Sequence, residues 1–159
     1  MEIVILRRYL ELKILPAVLV VLWLVSMWLI AQAMPWAIVS IPGGGIVASI
    51  ACLLGFVAII VSAIALHAAK TTINPFAPDA TTSIVTSGIY RFSRNPIYVG
   101  LLAILAGWAI FLANVFSALL LPLFVIYMNL FQIIPEEKVL QAKFGDAYAQ
   151  YLQSVRRWL

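Results

Sequence analysis

Long apolar runs separated by short polar stretches dominate this chain, and they predict membrane-spanning helices. The hydrocarbon core of a bilayer is about 30 Å thick and needs about 20 helical residues to cross it. Residues 14–35 and 46–69 form two runs of about that length. Residues 96–134 form a third run, which is too long for one ordinary span.

The third run is expected to contain two spans joined by a tight turn. Asn114 lies near its middle and divides it into spans 97–113 and 115–134. Pro122 should kink the last span, because its ring removes a backbone hydrogen bond. The alternative is a single long, tilted helix over the whole run. With four spans, the predicted fold class is an all-α membrane protein.

The charged side chains lie on one face of a four-span arrangement. An even number of spans returns the chain to the side where it began, and the connection 32–45 between the first two spans carries no charge. Basic residues collect on the cytoplasmic side of membrane proteins, so both termini are expected in the cytoplasm. The charged residues precede span one, lie between spans two and three, or follow span four: Glu2, Arg7, Arg8, Glu11, Lys13, Lys70, Asp79, Arg91, Arg94, Glu136, Glu137, Lys138, Lys143, Asp146, Arg156 and Arg157.

Composition agrees with a single-domain integral membrane protein over residues 1–159. Apolar residues make up 65% of the chain and charged residues 10%, against about 25% charged in soluble domains. The net charge of +4 is expected to reflect topology and anionic headgroups rather than nucleic acid. The single cysteine, Cys52, excludes a disulfide framework and is expected to be a small buried residue. Because no Asp, Glu, Lys or Arg interrupts the spans, a proton-coupled transporter is disfavoured.

The N-terminal run has a competing interpretation. Basic residues, an apolar run and Ala31–Ala33 imitate a secretory signal peptide. The apolar core of a signal peptide is about 7–15 residues long, and this run is longer. We therefore interpret it as the first span.

The connection over residues 70–96 gathers most of the polar chemistry of the chain, in "SGIYRFSRNPIYVG" above all. Loops longer than about 12–15 residues are usually functional or disordered. Apolar residues within this one favour an ordered loop that folds back on the helix ends. They are Ile73, Phe76, Ile84, Val85, Ile89, Tyr90 and Phe92.

The start of span three, "NPIYVG", could bind an anion. Asn95 and Tyr98 are three residues apart and project to one side of the first turn, where free N–H groups and partial positive charge favour a carboxylate. Gly100 allows another backbone or a ligand to approach closely. The plainer alternative is a helix cap with interfacial tyrosines.

The C-terminal segment is expected to form an amphipathic helix over residues 136–158 at the membrane surface. Glu136 and Glu137 follow Pro135, so they either stabilise a helix start or hold a cationic ligand. The apolar residues that recur every three or four positions are Leu140, Phe144, Tyr148, Tyr151, Val155 and Trp158.

Two stretches together resemble the isoprenylcysteine carboxyl methyltransferase family. They are "IVTSGIYRFSRNPIYVG" and, about 40 residues later, "EEKVLQAKFGDAYAQYLQSVRRW". The "NPIYVG…GWAI" portion is also similar to phospholipid N-methyltransferases, and the likeness covers residues 70–158. It implies that S-adenosylmethionine binds between the cytosolic ends of the last two spans, sheltered by the connection and the C-terminal segment.

The resemblance also implies which residues hold the cofactor. Asn95 replaces a histidine of the eukaryotic enzymes, and Gln132 replaces an arginine that meets their substrate. Gln132 and His67 are the candidate substrate residues, with a structural role at the interface as the alternative for His67; no catalytic base and no metal ligand is assigned. The predicted cofactor residues are Asn74, Ile84, Val85, Tyr90, Asn95, Pro96, Tyr98, Gly100, Glu136 and Glu137.

These patterns predict methyl transfer from S-adenosylmethionine to a lipophilic or membrane-partitioning carboxylate, amine or thiol. The alternative is a non-catalytic membrane scaffold that retains the fold. The expected partners are a lipid or lipophilic acceptor and the membrane, without nucleic acid, and the oligomeric state is left open. The prediction requires that the connection, the first turn of span three and the acidic pair meet in one cytosol-facing cleft.

Overall fold

The chain folds into a bundle of helices that alternate in direction. The computed structural model describes residues 12–72, 74 and 77–159, and no strand occurs among these residues. Pro16 and Pro96 each open a helix, where the missing N–H of proline removes no helical hydrogen bond. The principal helices are α1 (Pro16–Ala33), α2 (Gly44–Ala68), α3 (Pro96–Leu112), α4 (Val115–Phe144) and α5 (Asp146–Ser154).

Helices α1, α2 and α3 begin and end within two residues of the predicted spans 14–35, 46–69 and 97–113. Helix α4 begins at the predicted residue 115 but continues to Phe144, ten residues beyond the predicted end. Of the helices in the described part of the chain, α1, α2 and α4 are long and apolar enough to cross a membrane. Helix α3 is also apolar but has 17 residues, so the four-span topology stays a prediction. The turn at Asn114 is present, with Ala113 at φ +48°. A side-chain oxygen of Asn114 accepts a hydrogen bond from the backbone N–H of Ser117 at 3.1 Å.

Helices α2 and α3 pack in very close contact. A Cβ atom built on Gly100 would lie 2.6 Å from the carbonyl oxygen of Gly55, and the reverse distance is the same. A Cβ atom on Gly107 would lie 2.6 Å from the sulfur of Cys52, which is half-buried between the two helices. The close approach expected at Gly100 is therefore made by another backbone.

Helix α4 changes its hydrogen-bonding pattern twice. Its first part is interrupted at Leu119, one turn before Pro122, which supplies no N–H to the Ala118 carbonyl. Its second irregularity is a π-helical turn over Asn129–Ile133. This π-helical turn, which contains one residue more than an α-helical turn, joins the apolar part of α4 to its polar end.

The helix start expected at Pro135 is present as an α-helical segment that begins at Ile134, but this segment follows the π-helical turn without a break, so α4 continues through Pro135. Proline has no N–H, so the Phe131 carbonyl lacks its usual donor four residues on. The backbone N–H of Leu12 donates to that carbonyl at 3.0 Å instead. The segment before α1 is thereby attached to α4.

The single C-terminal helix expected over 136–158 is wrong in two respects. Gly145 breaks the helical run with φ +54° and ψ −126°, a conformation that residues with a Cβ atom rarely adopt. Helix α5 then ends at Ser154, and Val155 is extended. Residues 155–159 form a separate segment, called here the C-terminal strap.

Polar contacts fix both ends of the bundle. At the uncharged end, Asn114 donates to the Met34 carbonyl at 2.8 Å. At the charged end, hydrogen bonds from Thr82 to the Lys70 carbonyl and from Ser83 to the Ala69 carbonyl hold the connection against the end of α2. The predictions that concern residues 1–11, 73, 75 and 76 lie outside the described residues.

Candidate functional site

A cavity of about 380 Å³ opens at the charged end of the bundle, within the range of about 300–1,000 Å³ that is common for small-molecule sites. The connection, the first turns of α3, the polar end of α4, and α5 all contribute to its wall. The three polar segments that the sequence singled out therefore meet at one place. Apolar residues from α1, α2 and α3 complete the wall on the side of the bundle: Leu15, Ile59, Leu66, Ile97 and Leu101.

Tyr98 and Glu136 form the central contact of this cavity. The Tyr98 hydroxyl donates to Glu136 Oε1 at 2.6 Å, a length typical of a hydrogen bond to a charged acceptor. Among the described residues, none donates to Glu136 Oε2 and no cation forms a salt bridge with this carboxylate. The second oxygen of this carboxyl group is therefore open to a ligand in the cavity.

Glu137, the next residue, is in a different state. Its Oε1 accepts from Arg94 at 2.7 Å and its Oε2 accepts from Arg157 at 2.6 Å. Arg157 Nε also donates to Oε1, at 3.2 Å. Both oxygens of Glu137 are occupied and its charge is compensated, although the residue borders the cavity. The two glutamates of the acidic pair are therefore not equivalent.

Asn95 occupies the N-cap position of α3, but its side chain does not cap the helix. Its Nδ2 donates to the Arg157 carbonyl at 3.0 Å, and its backbone N–H donates to the Ser93 hydroxyl. No hydrogen bond to Asn95 Oδ1 occurs within the described part of the chain. Asn95 can thus offer the cavity an acceptor, like Glu136.

Three buried tyrosines build the wall opposite α3. The Tyr151 hydroxyl donates to the Tyr90 carbonyl at 2.7 Å, and the Tyr148 and Tyr151 rings lie 6.1 Å apart between centroids. Burial raises the pKa of Tyr90, and the Tyr151 phenol and the Glu136 carboxylate raise it further. Burial also raises the pKa of Tyr151 to about 12, although Arg94 lowers it. These phenols are neutral hydrogen-bond donors at physiological pH.

Most of the predicted cofactor residues lie at the cavity, and three predicted site residues do not. Gly100 faces α2, and His67 is exposed at the end of α2. Gln132 is 2% exposed and, within the described residues, its Nε2 has no hydrogen-bond partner. The predicted residues that line the cavity beside those already described are Asn74, Ile84, Val85 and Pro96.

The sequence did not single out several residues of the wall. Tyr148 and Tyr151 belong to the C-terminal motif and are three residues apart, so they share a face of α5; this spacing could have indicated a joint role. The start of α1, including Leu15 and Pro16, also lines the cavity. Nothing in its local pattern distinguishes it from the rest of an apolar span.

Comparisons with known proteins indicate the family of the chain. The model of the phospholipid methyltransferase family matches residues 44–147. An uncharacterised protein of Haemophilus influenzae is 46% identical over 63 residues, which are 40% of this chain and all of that protein. The protein-S-isoprenylcysteine O-methyltransferase of Schizosaccharomyces pombe is 39% identical over 72 residues, which are 45% of this chain and 30% of that enzyme.

No solved structure gives a significant match to the chain. The likeness to the fission yeast enzyme spans less than a third of that protein. The family match, by contrast, extends from the first residue of α2 to the beginning of α5 and includes Tyr98 and Glu136. It covers well over half of the chain, and the protein therefore belongs to the phospholipid methyltransferase family.

Proposed function

We propose that the protein is a membrane methyltransferase that uses S-adenosylmethionine to methylate a lipophilic acceptor at the cytoplasmic face. The observation that carries this proposal is the Tyr98–Glu136 contact, which leaves one carboxylate oxygen open in the cavity. Family membership supplies the reaction class. The open carboxyl oxygen of Glu136 supports a ligand that donates hydrogen bonds, such as an ammonium group, which would favour the ionised form of the carboxyl group.

The groups around the cavity suit the parts of S-adenosylmethionine. Glu136 Oε2 and Asn95 Oδ1 are acceptors for its ammonium group or its ribose hydroxyls. The rings of Tyr90 and Tyr148 can pack against adenine or face the sulfonium, and a cation–π contact contributes about 0.5–2 kcal/mol. The first N–H groups of α3 suit the carboxylate of the cofactor.

In this proposal the protein catalyses the reaction mainly by positioning. The cofactor supplies the methyl group, and transfer requires the acceptor atom in line with the bond that breaks. Glu136, Asn95 and the tyrosines would fix the donor in one orientation, and the closely packed wall would exclude water. No residue is assigned as a general base.

The apolar side of the cavity supports a lipophilic acceptor. Pro16, Ile59 and Leu101 come from three different helices and line the cavity. An amphiphile that enters between these helices would bring its polar group toward Glu136. The acceptor group can be a carboxylate, an amine or a thiol.

The cytoplasmic location follows from the same proposal. Helix α3 has 17 residues and is about 25 Å long at 1.5 Å per residue, and it packs along α2 through Gly55 and Gly100. We therefore treat α3 as a fourth span. All described charges then share the face that the positive-inside rule assigns to the cytoplasm.

Calorimetric titration with S-adenosylhomocysteine tests cofactor binding directly. The wild-type protein should bind at submillimolar concentration. Glu136→Gln removes a charged hydrogen-bond acceptor, worth about 1.5–3 kcal/mol, and should weaken binding about 10- to 100-fold. Lys138→Gln is the matched control, because Lys138 is exposed and lies two residues further on in α4. Absence of wild-type binding at millimolar concentration would refute the proposal.

A further inference from the structure

We infer that Glu137 is a positioning residue that keeps two arginines away from Glu136 and so leaves Glu136 free for the cofactor. The inference rests on the proposed function and gives Glu137 a role different from cofactor binding. It is carried by the arrangement of Arg94, Glu137 and Arg157, called here the clamp.

The clamp is largely buried, and both oxygens of Glu137 accept hydrogen bonds within it. Arg94 and Glu137 side chains are 10% and 13% exposed, while Arg157 is 36% exposed. Arg94 Nη1 also donates to the carbonyls of Leu152 and Val155 at 2.9 and 2.6 Å. Arg94 thus joins Glu137 to the end of α5, whose last carbonyls have no helical partners.

Arg157 joins the clamp to the first turn of α3. Its guanidinium binds Glu137, while its carbonyl accepts from Asn95 Nδ2 at 3.0 Å and from the Ser93 hydroxyl at 3.3 Å. The backbone N–H of Arg94 donates to the Arg156 carbonyl at 3.0 Å. The strap therefore fixes the side-chain orientation of Asn95 and leaves Oδ1 as its open acceptor.

The position of the strap is also set from α4. Trp158 Nε1 donates to Asn129 Oδ1, in the π-helical turn, at 3.1 Å. The π-helical turn and Glu137 both lie on α4, the helix that carries Glu136, so the strap is held to this helix at two places. Arg156 and Arg157 are thus bound through their carbonyls to residues just before α3, and Trp158 is bound to α4.

The charges explain why Glu137 matters to its neighbour. Consecutive residues of a helix differ by about 100° in direction, so Glu137 can engage the arginines while Glu136 faces Tyr98. The clamp holds two cations and one anion, and Glu136 is the nearest other carboxylate in the sequence. Without the charge of Glu137, the arginines would pair with Glu136 and occupy the oxygen that the cofactor needs.

A double-mutant cycle measured by S-adenosylhomocysteine titration tests this role. Glu137→Gln should raise the Kd about tenfold, equivalent to about 1.4 kcal/mol. In the Glu136→Gln background the same change should alter the Kd by less than about twofold, because the two residues act through one contact. A general structural role would weaken binding equally in both backgrounds and would overturn the inference.

Glu137→Gln leaves the buried Arg94 without its anion and could prevent folding. A second pair of variants therefore tests the inference at Arg157. Arg157→Gln keeps the Arg94–Glu137 pair and the backbone contacts of the strap but removes the guanidinium that binds the strap to Glu137, and should raise the Kd about threefold; Arg157→Lys should stay within about twofold of wild type. In the Glu137→Gln background, by contrast, Arg157→Gln should lower the Kd, because it removes one of the two cations that compete for Glu136; an equal or higher Kd there contradicts the inference. If the wild-type protein itself does not bind the ligand, the proposed function fails instead, so the two failures are distinguishable.

Discussion

Gly100→Ala should separate helices α2 and α3 and disturb the site at the same time. The added Cβ atom would lie 2.6 Å from the Gly55 carbonyl oxygen and 2.7 Å from Ile59 Cγ1. Ordinary van der Waals contact begins at 3.4 Å, so the helices must move apart by about 0.8 Å, the difference between 3.4 and 2.6 Å. Overpacking of this kind destabilises proteins by about 1–3 kcal/mol.

The same displacement acts on the cavity, because Tyr98 precedes Gly100 by two residues. A shift of α3 away from α2 would change the 2.6 Å contact between Tyr98 and Glu136. We expect a lower midpoint in unfolding titrations with sodium dodecyl sulfate in mixed micelles. We also expect weaker S-adenosylhomocysteine binding in the protein that remains folded.

Gly45→Ala is the matched control for this prediction. Gly45 is also in α2, and no atom lies within 4 Å of a Cβ built there. Alanine is favoured over glycine in a helix by about 0.8–1.0 kcal/mol, so this variant should be as stable as wild type or more stable. Equal midpoints and affinities for Gly100→Ala and Gly45→Ala would refute the close-packing argument.

Three further predictions concern single contacts. Tyr98→Phe should weaken S-adenosylhomocysteine binding about tenfold, because Glu136 loses a donor worth about 1.5–3 kcal/mol; unchanged affinity in calorimetry would contradict this. Gly145→Ala should destabilise the α4–α5 junction by about 1–3 kcal/mol, since its φ of +54° is unfavourable for alanine although no atom lies within 4 Å; faster limited proteolysis there is the measurement. Ser117→Ala should lower the free energy of unfolding by about 1 kcal/mol, through loss of its 2.7 Å bond to the Met27 carbonyl, and an unchanged unfolding midpoint would contradict it.

The apolar runs predicted the helix bounds because crossing helices need continuous apolar segments of fixed length. Asn114 was recognisable as a turn, since it is the one side-chain amide near the middle of a long apolar run. The meeting of Tyr98 and Glu136 followed from a resemblance in two motifs. The residue patterns by themselves predicted only that each of the two residues lies near the end of a helix.

The irregular parts of α4 and α5 were not predictable from periodicity. Apolar residues recur at helical spacing on both sides of Gly145, so the pattern continues where the backbone does not. Pro135 is typical of a helix start, and an α-helical segment begins at Ile134, but it follows the π-helical turn without a break. Leu12, far away in sequence, donates to the Phe131 carbonyl that Pro135 leaves without its usual donor. Such a contact has no local signal.

The difference between Glu136 and Glu137 was also beyond the sequence. The two residues are identical and adjacent, so composition and spacing treat them alike. Their states are set by Arg94, 43 residues before Glu137, and by Arg157, 20 residues after it. Only the three-dimensional arrangement shows which carboxylate is compensated and which is open.

The most direct test of the account is transfer of a labelled methyl group from S-adenosylmethionine to membrane lipids. Membranes that contain the wild-type protein should incorporate label into the organic-soluble fraction, and Lys138→Gln should do so equally. Glu136→Gln should reduce incorporation about 10- to 100-fold, in line with the loss of a charged hydrogen bond. Label in the wild-type membranes no greater than in membranes without the protein would contradict the account and favour a non-catalytic scaffold.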